Sequence, residues 1–309
     1  MNAKDLSILL LLSLIWGASF LFMRMVVPEI GMVETVFFRL FFGVVALTMA
    51  LLWQRKAWVF HGRLLPVMLL GITNSAIPFF CYGWAAHVLP SGYLAIFNAL
   101  TPLMSTLIGY LAFKEALSLR SLGGILLGLS GVFILVQAGP VQFDHAALIG
   151  MLCCVLATIC YGLSGFLIQR LNAACKRDTG ETIDSGLFAV ASLGGATIMA
   201  LPILLIQIAT TGLIMPQQTS HWIALLGLGF ACTGVAYLFY FMLIARIGPM
   251  RTTLVALLIP CFGVVLGALI LHETLSLAHL IGGALIGFAL TLVLKLGQTA
   301  PAPAAKETA

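Results

Sequence analysis

Apolar residues in this chain come in long unbroken runs, not in alternation with polar ones. Ten runs stand out, at about 6–26, 33–53, 64–86, 92–112, 121–138, 147–169, 185–208, 222–244, 251–271 and 278–296. A helix needs about 20 apolar residues to cross the hydrocarbon core of a bilayer, so each run predicts one membrane-spanning helix. Breaker clusters separate the runs: Pro28–Gly31, Pro90–Gly92, Gly139–Pro140, Pro216 and Gly248–Pro249. The longest polar stretch, Asn172 to Asp184, reads as a loop between the sixth and seventh helices. The Ala/Pro/Thr-rich residues 297–309 read as a disordered tail. The first run, Leu6 to Val27, exceeds the roughly 7–15 residues of a signal-peptide core and reads as a retained first helix.

Composition agrees. Of 309 residues, 61% are hydrophobic and 8% are charged, against about 25% charged in an ordinary soluble domain. A soluble enzyme could not hide this much apolar surface, and disorder demands the opposite composition. A membrane β-barrel would show short alternating segments. The fold class expected is therefore an all-α polytopic membrane protein.

Charge placement supplies an orientation. The net charge is +5, but the cations are scattered, with no basic stripe for nucleic acid. With the N-terminus in the cytoplasm, 13 of the 15 Lys and Arg fall on the cytoplasmic side of ten spans. Arg24 alone lies outside, and Arg39 lies within the second helix. Both termini are then cytoplasmic, and the expected location is a cell membrane, a bacterial inner membrane. The seven cysteines form no CxxC and six lie in apolar runs, so neither a disulfide framework nor a metal site is expected. No cofactor motif is present in the sequence either.

The chain also repeats itself. A shift of 158 residues places Pro102 on Pro260, Gly109 on Gly267, Glu115 on Glu273, Ser118 on Ser276 and Gly124 on Gly282. Ten of the 26 positions from Pro102 to Leu127 are identical, and Tyr82 falls on Tyr240. A shift of 145 aligns Trp16 and Ser19 with Tyr161 and Ser164. Two five-helix units follow, 6–138 and 147–296. Because five is odd, the second unit enters from the opposite side, giving ten transmembrane helices as two inverted five-helix repeats. Such halves suit alternating access around a shared central site.

These residues resemble a known family. LIWGASF at Leu14–Phe20, FFRLFF at Phe37–Phe42 and the duplicated Pro102/Glu115/Gly124 and Pro260/Glu273/Gly282 pattern are similar to the signatures of EamA-like transporters of the drug/metabolite transporter superfamily. The resemblance covers nearly the whole chain except the tail. It implies ten helices around a central cavity and export of amino acids or other small metabolites. In-class alternatives are import, or exchange of nucleotide sugars or sugar phosphates. The repeat places Ala189, not an Arg, opposite Arg39.

Polar residues inside spans are costly and each needs a reason. Helix three carries Asn74, Pro78 and Tyr82 at i, i+4 and i+8; helix four carries Asn98, Thr101 and Ser105. Helix one offers Trp16 and Ser19, helix six Tyr161 and Ser164, and helix eight Thr233, Tyr237 and Tyr240. These stripes either face a solute cavity or bond helices to one another. Pro78, Pro102 and Pro260 are expected to kink their spans, as cavity-lining bends or as static packing. Arg39 either snorkels or pairs with Glu34 or Glu29, or else anchors a substrate carboxylate through its fork. Glu115 and Glu273 are expected at positive helix ends, with Ser118 and Ser276 capping helices five and ten. No Asp or Glu stands near the middle of a span, so proton coupling through a buried carboxylate has no candidate. The GxxxG pairs Gly124/Gly128, Gly263/Gly267 and Gly283/Gly287 permit close helix contact within the monomer or in a homodimer.

A rival class is an intramembrane serine protease of the rhomboid type, because Gly162–Gly165 reads GLSG around Ser164. The same string recurs at Gly128–Gly131, and all six histidines fall at span ends or in loops. A catalytic serine needs a base beside it. The partners expected are thus a small-molecule solute and the lipid bilayer, and the protein is not expected to be an enzyme.

Overall fold

A computed structural model describes residues 2–138, 144–252 and 254–293. Gly139–Pro140 and the 297–309 tail lie outside the described residues. The described residues form helices and short connections, with no strand among them. In chain order the helices are α1 (Ala3–Ile30), α2 (Met32–Trp53), α3 (Leu64–Gly71), α4 (Ile77–Val88), α5 (Ser91–Asn98), α6 (Thr101–Phe113) and α7 (Leu119–Ala138). Then follow α8 (His145–Thr179), α9 (Ser185–Thr211), α10 (Thr219–Leu226), α11 (Ala236–Ile247), α12 (Pro249–Thr252), α13 (Leu254–Ile270) and α14 (Leu277–Val293). Two π-helical segments, Ile72–Ala76 and Gly227–Val235, join α3 to α4 and α10 to α11.

Seven continuous helical segments are long and apolar enough to cross a membrane: Ala3–Ile30, Met32–Trp53, Leu64–Val88, Ser91–Phe113, His145–Thr179, Ser185–Thr211 and Thr219–Ile244. Three more, Leu119–Leu135, Leu254–Ile270 and Leu277–Val293, are apolar but shorter. They occupy the places of the expected spans 121–138, 251–271 and 278–296. The chain is thus a multi-pass membrane protein.

One expectation needs correction, and the bends expected at the prolines take a particular form. The polar stretch beginning at Asn172 is not all loop, because α8 continues through Thr179 for 35 residues. At 1.5 Å per residue that is about 52 Å, well beyond the ~30 Å hydrocarbon core. Its overhang is polar yet helix-compatible, carries Lys176 and Arg177 in the last turn, and stops at Gly180 in the left-handed region. Within the span Ser91–Phe113 the helix breaks just ahead of Pro102, whose missing N–H leaves the Asn98 carbonyl to the Thr101 hydroxyl. The chain turns at Ala99–Leu100, and Pro102 sits in the first turn of the next helix, where its missing N–H costs nothing. Pro78 likewise opens α4, directly after a π-helical turn, while Pro260 does lie inside α13.

The helices of the two parts of the chain interleave. α1 packs on α13, α2 on α9 and on the second π segment, α3 on α9, α4 on α8, and α7 on α14. These contacts are close because small residues line them. A Cβ added to Gly131 would lie 2.7 Å from the Gly282 carbonyl oxygen, and one added to Gly282 would lie 2.7 Å from that of Gly131. Gly71 of α3 is pressed against the Ser192 backbone of α9 in the same way. Gly124 and Gly128 also sit at packed contacts, whereas Gly283 and Gly287 face open space.

Because the Ser192 backbone cannot yield as a side chain can, Gly71→Ala should destabilise the protein by about 1–3 kcal/mol, the range for overpacking. Gly194→Ala, where an added Cβ meets nothing within 4 Å, should be neutral or mildly stabilising. Thermal unfolding of the two variants in detergent checks the contrast.

Candidate functional site

The site is built around Arg39. It lies on α2, seven residues after Met32 and so about 10 Å along the axis, and is 7% exposed. Its Nε donates to the Thr233 hydroxyl at 3.2 Å and its Nη1 to the Met23 sulfur at 3.1 Å. The guanidinium carbon stands 3.6 Å from the centre of the Phe79 ring. Arg39 therefore neither snorkels nor pairs with Glu34 or Glu29. Glu29 is taken by His221 and by the Gln217 amide at 2.9 Å, at the end of the bundle. Glu34, in the first turn of α2, is buried with both carboxylate oxygens unbonded. That orphaned acid was not legible as buried in the sequence, because an acid in a first turn ordinarily faces water.

The protein answers the burial of Arg39 with hydrogen bonds and a ring, not with an opposite charge. Taking a charge out of water costs several kcal/mol even after relaxation. A cation–π contact returns about 0.5–2 kcal/mol, and a hydrogen bond from a charged group about 1.5–3 kcal/mol. Among the described residues no carboxylate forms an ion pair with Arg39.

The two π-helical segments place its neighbours. In the second, the Thr233 hydroxyl donates to the Leu228 carbonyl at 2.9 Å, five residues back, and its lone pair is left to accept from Arg39. The first places Asn74 and Ser75 near the Tyr237 phenol, with the buried Ser75 hydroxyl left unbonded. Shifted by 158 residues, the first segment falls inside the second. Neither was visible to a reading based on the 3.6-residue period; Asn74 lies in the first π segment, whereas Pro78 and Tyr82 keep their i, i+4 spacing on α4. Tyr82 instead packs on Phe20, with ring centres 5.2 Å apart, and donates to Asn98 Oδ1 at 3.3 Å. Phenols of Tyr82, Tyr161 and Tyr237 and the Cys232 thiol surround Arg39 within electrostatic range. Trp16 adds an aromatic wall, 5.4 Å from Tyr240 and 6.5 Å from Tyr237.

The candidates fall into two groups. Trp16, Asn74, Asn98, Thr101, Tyr161, Tyr237 and Tyr240 are half-buried, as a wall open to a chamber would be. Ser19, Tyr82, Ser164 and Thr233 are buried. Ser19 donates to the Trp16 carbonyl at 2.7 Å, within its own helix. Thr101 donates to the Asn98 carbonyl at 2.8 Å across the chain turn, so Asn98, Thr101 and Ser105 do not share one helical face. Ser164 donates to the Cys160 carbonyl at 2.8 Å and contacts the Thr73 hydroxyl at 2.9 Å. Those bonds tie α8 to the first π segment, and no histidine bonds this hydroxyl, so the protease geometry is missing at Ser164.

The acidic ends behave differently from expectation. Ser118 does cap α7, accepting from the Ser121 amide at 3.1 Å. The Ser276 hydroxyl instead meets His279 Nδ1 at 2.8 Å, and the same ring nitrogen accepts from the Ser276 amide at 3.2 Å. Glu273 does not serve its own neighbour α14. It crosses to α5, accepting from the Ser91 amide at 2.8 Å, the Ser91 hydroxyl at 2.9 Å and the Gly92 amide at 3.3 Å. That is a charge-assisted cap of a helix from the other part of the chain. The backbone turns carrying the two acids match: Lys114 and His272 both adopt left-handed φ, 58° and 54°. Yet the Glu115 carboxylate lies against Gly109 and Phe166, with no such cap among the described residues.

At the opposite end of the bundle, loop 54–63 is tied to the last turn of α8 and to the residues that follow it. Lys56 pairs with Asp184 at 2.7 Å, Arg63 with Asp178 and His61 with Glu181 at 3.5 Å. Asp184 also caps α9 through the Gly186 and Leu187 amides. Partial burial alone would raise its pKa, but Lys56 and these two amides outweigh that and hold it below the usual carboxylate value.

The described residues form an all-helical membrane bundle with a polar, aromatic interior centred on one cation. The chain belongs to the EamA-like transporter family, which it matches over residues 4–137 and 148–295. It is 22% identical over 284 residues to the "Uncharacterized transporter YoaV" of Bacillus subtilis (strain 168), covering 89% of this chain and 91% of that protein. It is 27% identical over 207 residues to a "Probable amino-acid metabolite efflux pump" of Salmonella typhimurium, covering 64% and 65%. It is 25% identical over 232 residues to "Protein PecM" of Dickeya dadantii, covering 75% and 74%. A solved crystal structure with 18% identity superposes with a TM-score of 0.61 over 94% of this chain and 96% of that one, showing a shared fold.

Asp184→Ala should loosen the start of α9 by about 1 kcal/mol, the usual worth of a cap. Because the folded pKa is depressed, this contribution is fully present above the ordinary carboxylate pKa of about 3.9 and fades as pH falls through the lowered value. Unfolding of wild type and variant across that range should show their difference shrinking toward acid.

Proposed function

We propose that this chain is a secondary transporter of ten spans, built as two inverted five-helix halves, 6–138 and 147–296, that carries a small organic solute outward by alternating access. Seven helical segments long enough to span and three shorter apolar helices support a count of ten. The matching left-handed turns at Lys114 and His272, and the matching π segments, support a duplicated plan. The observation that carries the reading is the convergence of Trp16, Arg39, Tyr82 and Asn98 from one half with Tyr161, Thr233, Tyr237 and Tyr240 from the other. A solute held there touches both halves, so a rocking of one against the other exposes it to alternate faces. The export direction follows the printed name of the Salmonella relative.

In this reading the end bearing loop 54–63 and residues 178–184 faces the cytoplasm, with both chain termini, in a bacterial inner membrane. The Glu273 cap on α5 then holds the outer end together and must open for release.

Reconstitution into vesicles with a panel of amino acids and small metabolites, with and without a pH gradient, tests the transporter reading. At least one solute should move faster than in protein-free vesicles, and Asn98→Ala should slow it at least fivefold at unchanged expression. No transport of any panel member beyond background counts against the reading. Single cysteines placed at Lys56 and Lys176 should label from the same side of the membrane, and labelling from opposite sides would remove the inverted arrangement.

A further inference from the structure

We propose that Arg39 is the anchor for the charged end of the solute, and that this solute is an organic monocarboxylate with no cationic group. The inference rests on the transporter reading above and narrows it to a substrate class.

The argument is one of charge and donors. A guanidinium has five N–H donors. Arg39 spends one on Thr233 and one on the Met23 sulfur. Its Nη2 amino group donates to no atom among the described residues. Its two hydrogens are left to donate, and a carboxylate is the acceptor that answers both their geometry and the charge. Every group gathered on this cation is a phenol, a hydroxyl, a thiol, a thioether or an aromatic ring. The nearest acid on its own helix, Glu34, stands five residues back. That is about 7.5 Å along the axis and roughly 140° around it, and both its oxygens are sealed from solvent. A charge at this depth calls for a counter-ion, and the protein does not supply one among the described residues.

The valence of the solute follows. A monocarboxylate balances Arg39 one for one. A phosphate dianion would leave a charge unanswered by a single Arg. A zwitterion would bring an ammonium to Trp16, Tyr237 and Tyr240, whose ring faces return about 0.5–2 kcal/mol, less than the several kcal/mol that a second buried charge without a carboxylate partner costs. The same rings suit the apolar body of the acid.

The test uses purified full-length protein and two matched probe series. The first is 3-phenylpropanoate, L-phenylalanine, 3-phenylpropanamide and 3-phenylpropylamine; the second is 4-methylpentanoate, L-leucine and 4-methylpentanamide. Thermal unfolding midpoints against probe concentration give apparent affinities. In at least one series the carboxylate should bind at least tenfold tighter than the amide or amine, and at least as tightly as the zwitterion. Arg39→Gln should weaken carboxylate binding at least tenfold and abolish the preference of acid over amide. Arg39→Lys should keep the preference with severalfold weaker binding. If the variants fail to fold, the wild-type series alone decides. The proposal is overturned if amide and acid bind equally, if a zwitterion binds tenfold tighter than its carboxylate, or if neither carboxylate shifts the wild-type midpoint. Transport of some other panel solute in vesicles would, in that last case, leave the transporter reading standing without this one.

Discussion

One buried cation organises the interior. Arg39 extends from α2 and is held by Met23 of α1, Phe79 of α4 and Thr233 of the second π segment. Four stretches of chain, spread over more than two hundred residues, meet at this one side chain. None of its contacts can be dropped cheaply, since a charge left alone in a membrane interior is among the costliest arrangements a helix bundle can hold. The wide helical turns are fitted to this need. A regular α-helix would point the Thr233 hydroxyl at the carbonyl four residues back; the wider register takes it to Leu228 and leaves its lone pair facing the guanidinium. π turns are frequent at functional positions for this kind of reason.

Around that centre the bundle is held by seams of small residues in its interior and by charge at its ends. The seams need no strong bond. Gly131 against Gly282 and Gly71 against Ser192 bring backbones close enough for dispersion to accumulate over whole helix faces. The ends carry the directional contacts, Glu273 on α5 at one and the Lys56–Asp184 and Arg63–Asp178 pairs at the other. Lys56 and Asp184 are partly exposed, and such pairs contribute about 0–1 kcal/mol. Glu273, with its three donors, is the stronger tie.

Much of the bundle could be read along the chain, because long apolar runs and Pro/Gly breakers act locally. Ser118 was identifiable as a cap from its position alone. Trp16, Arg39, Tyr82, Asn98, Tyr161, Thr233, Tyr237 and Tyr240 lie near one another through ring contacts and hydrogen bonds, whereas Ser19 and Ser164 bond within the helix framework; a role for the group in binding solute belongs to the proposal. What could not be read was their geometry. A period of 3.6 has no place for a hydrogen bond five residues back, so both π segments were invisible. The break near Pro102 falls at Ala99–Leu100, ahead of the proline, because the bond it removes belongs to the carbonyl four residues back. Glu273 looked like a local cap because its true partner, Ser91, lies 182 residues away. Arg39 looked able to snorkel because helix position says nothing of what covers a side chain.

The interleaved packing has a consequence for biosynthesis. A nascent chain delivers α1 to α7 to the bilayer before α8 onward exists. At that point α1, α2, α3, α4 and α7 still lack the partners they ultimately pack on, namely α13, the 227–235 segment, α9, α8 and α14. Arg39 then has its thioether and its ring but not its hydroxyl, and Gly71 and Gly131 face acyl chains instead of backbone. The early segments must therefore wait in the membrane as loosely associated helices, and the tertiary structure closes only when the last helix has been inserted.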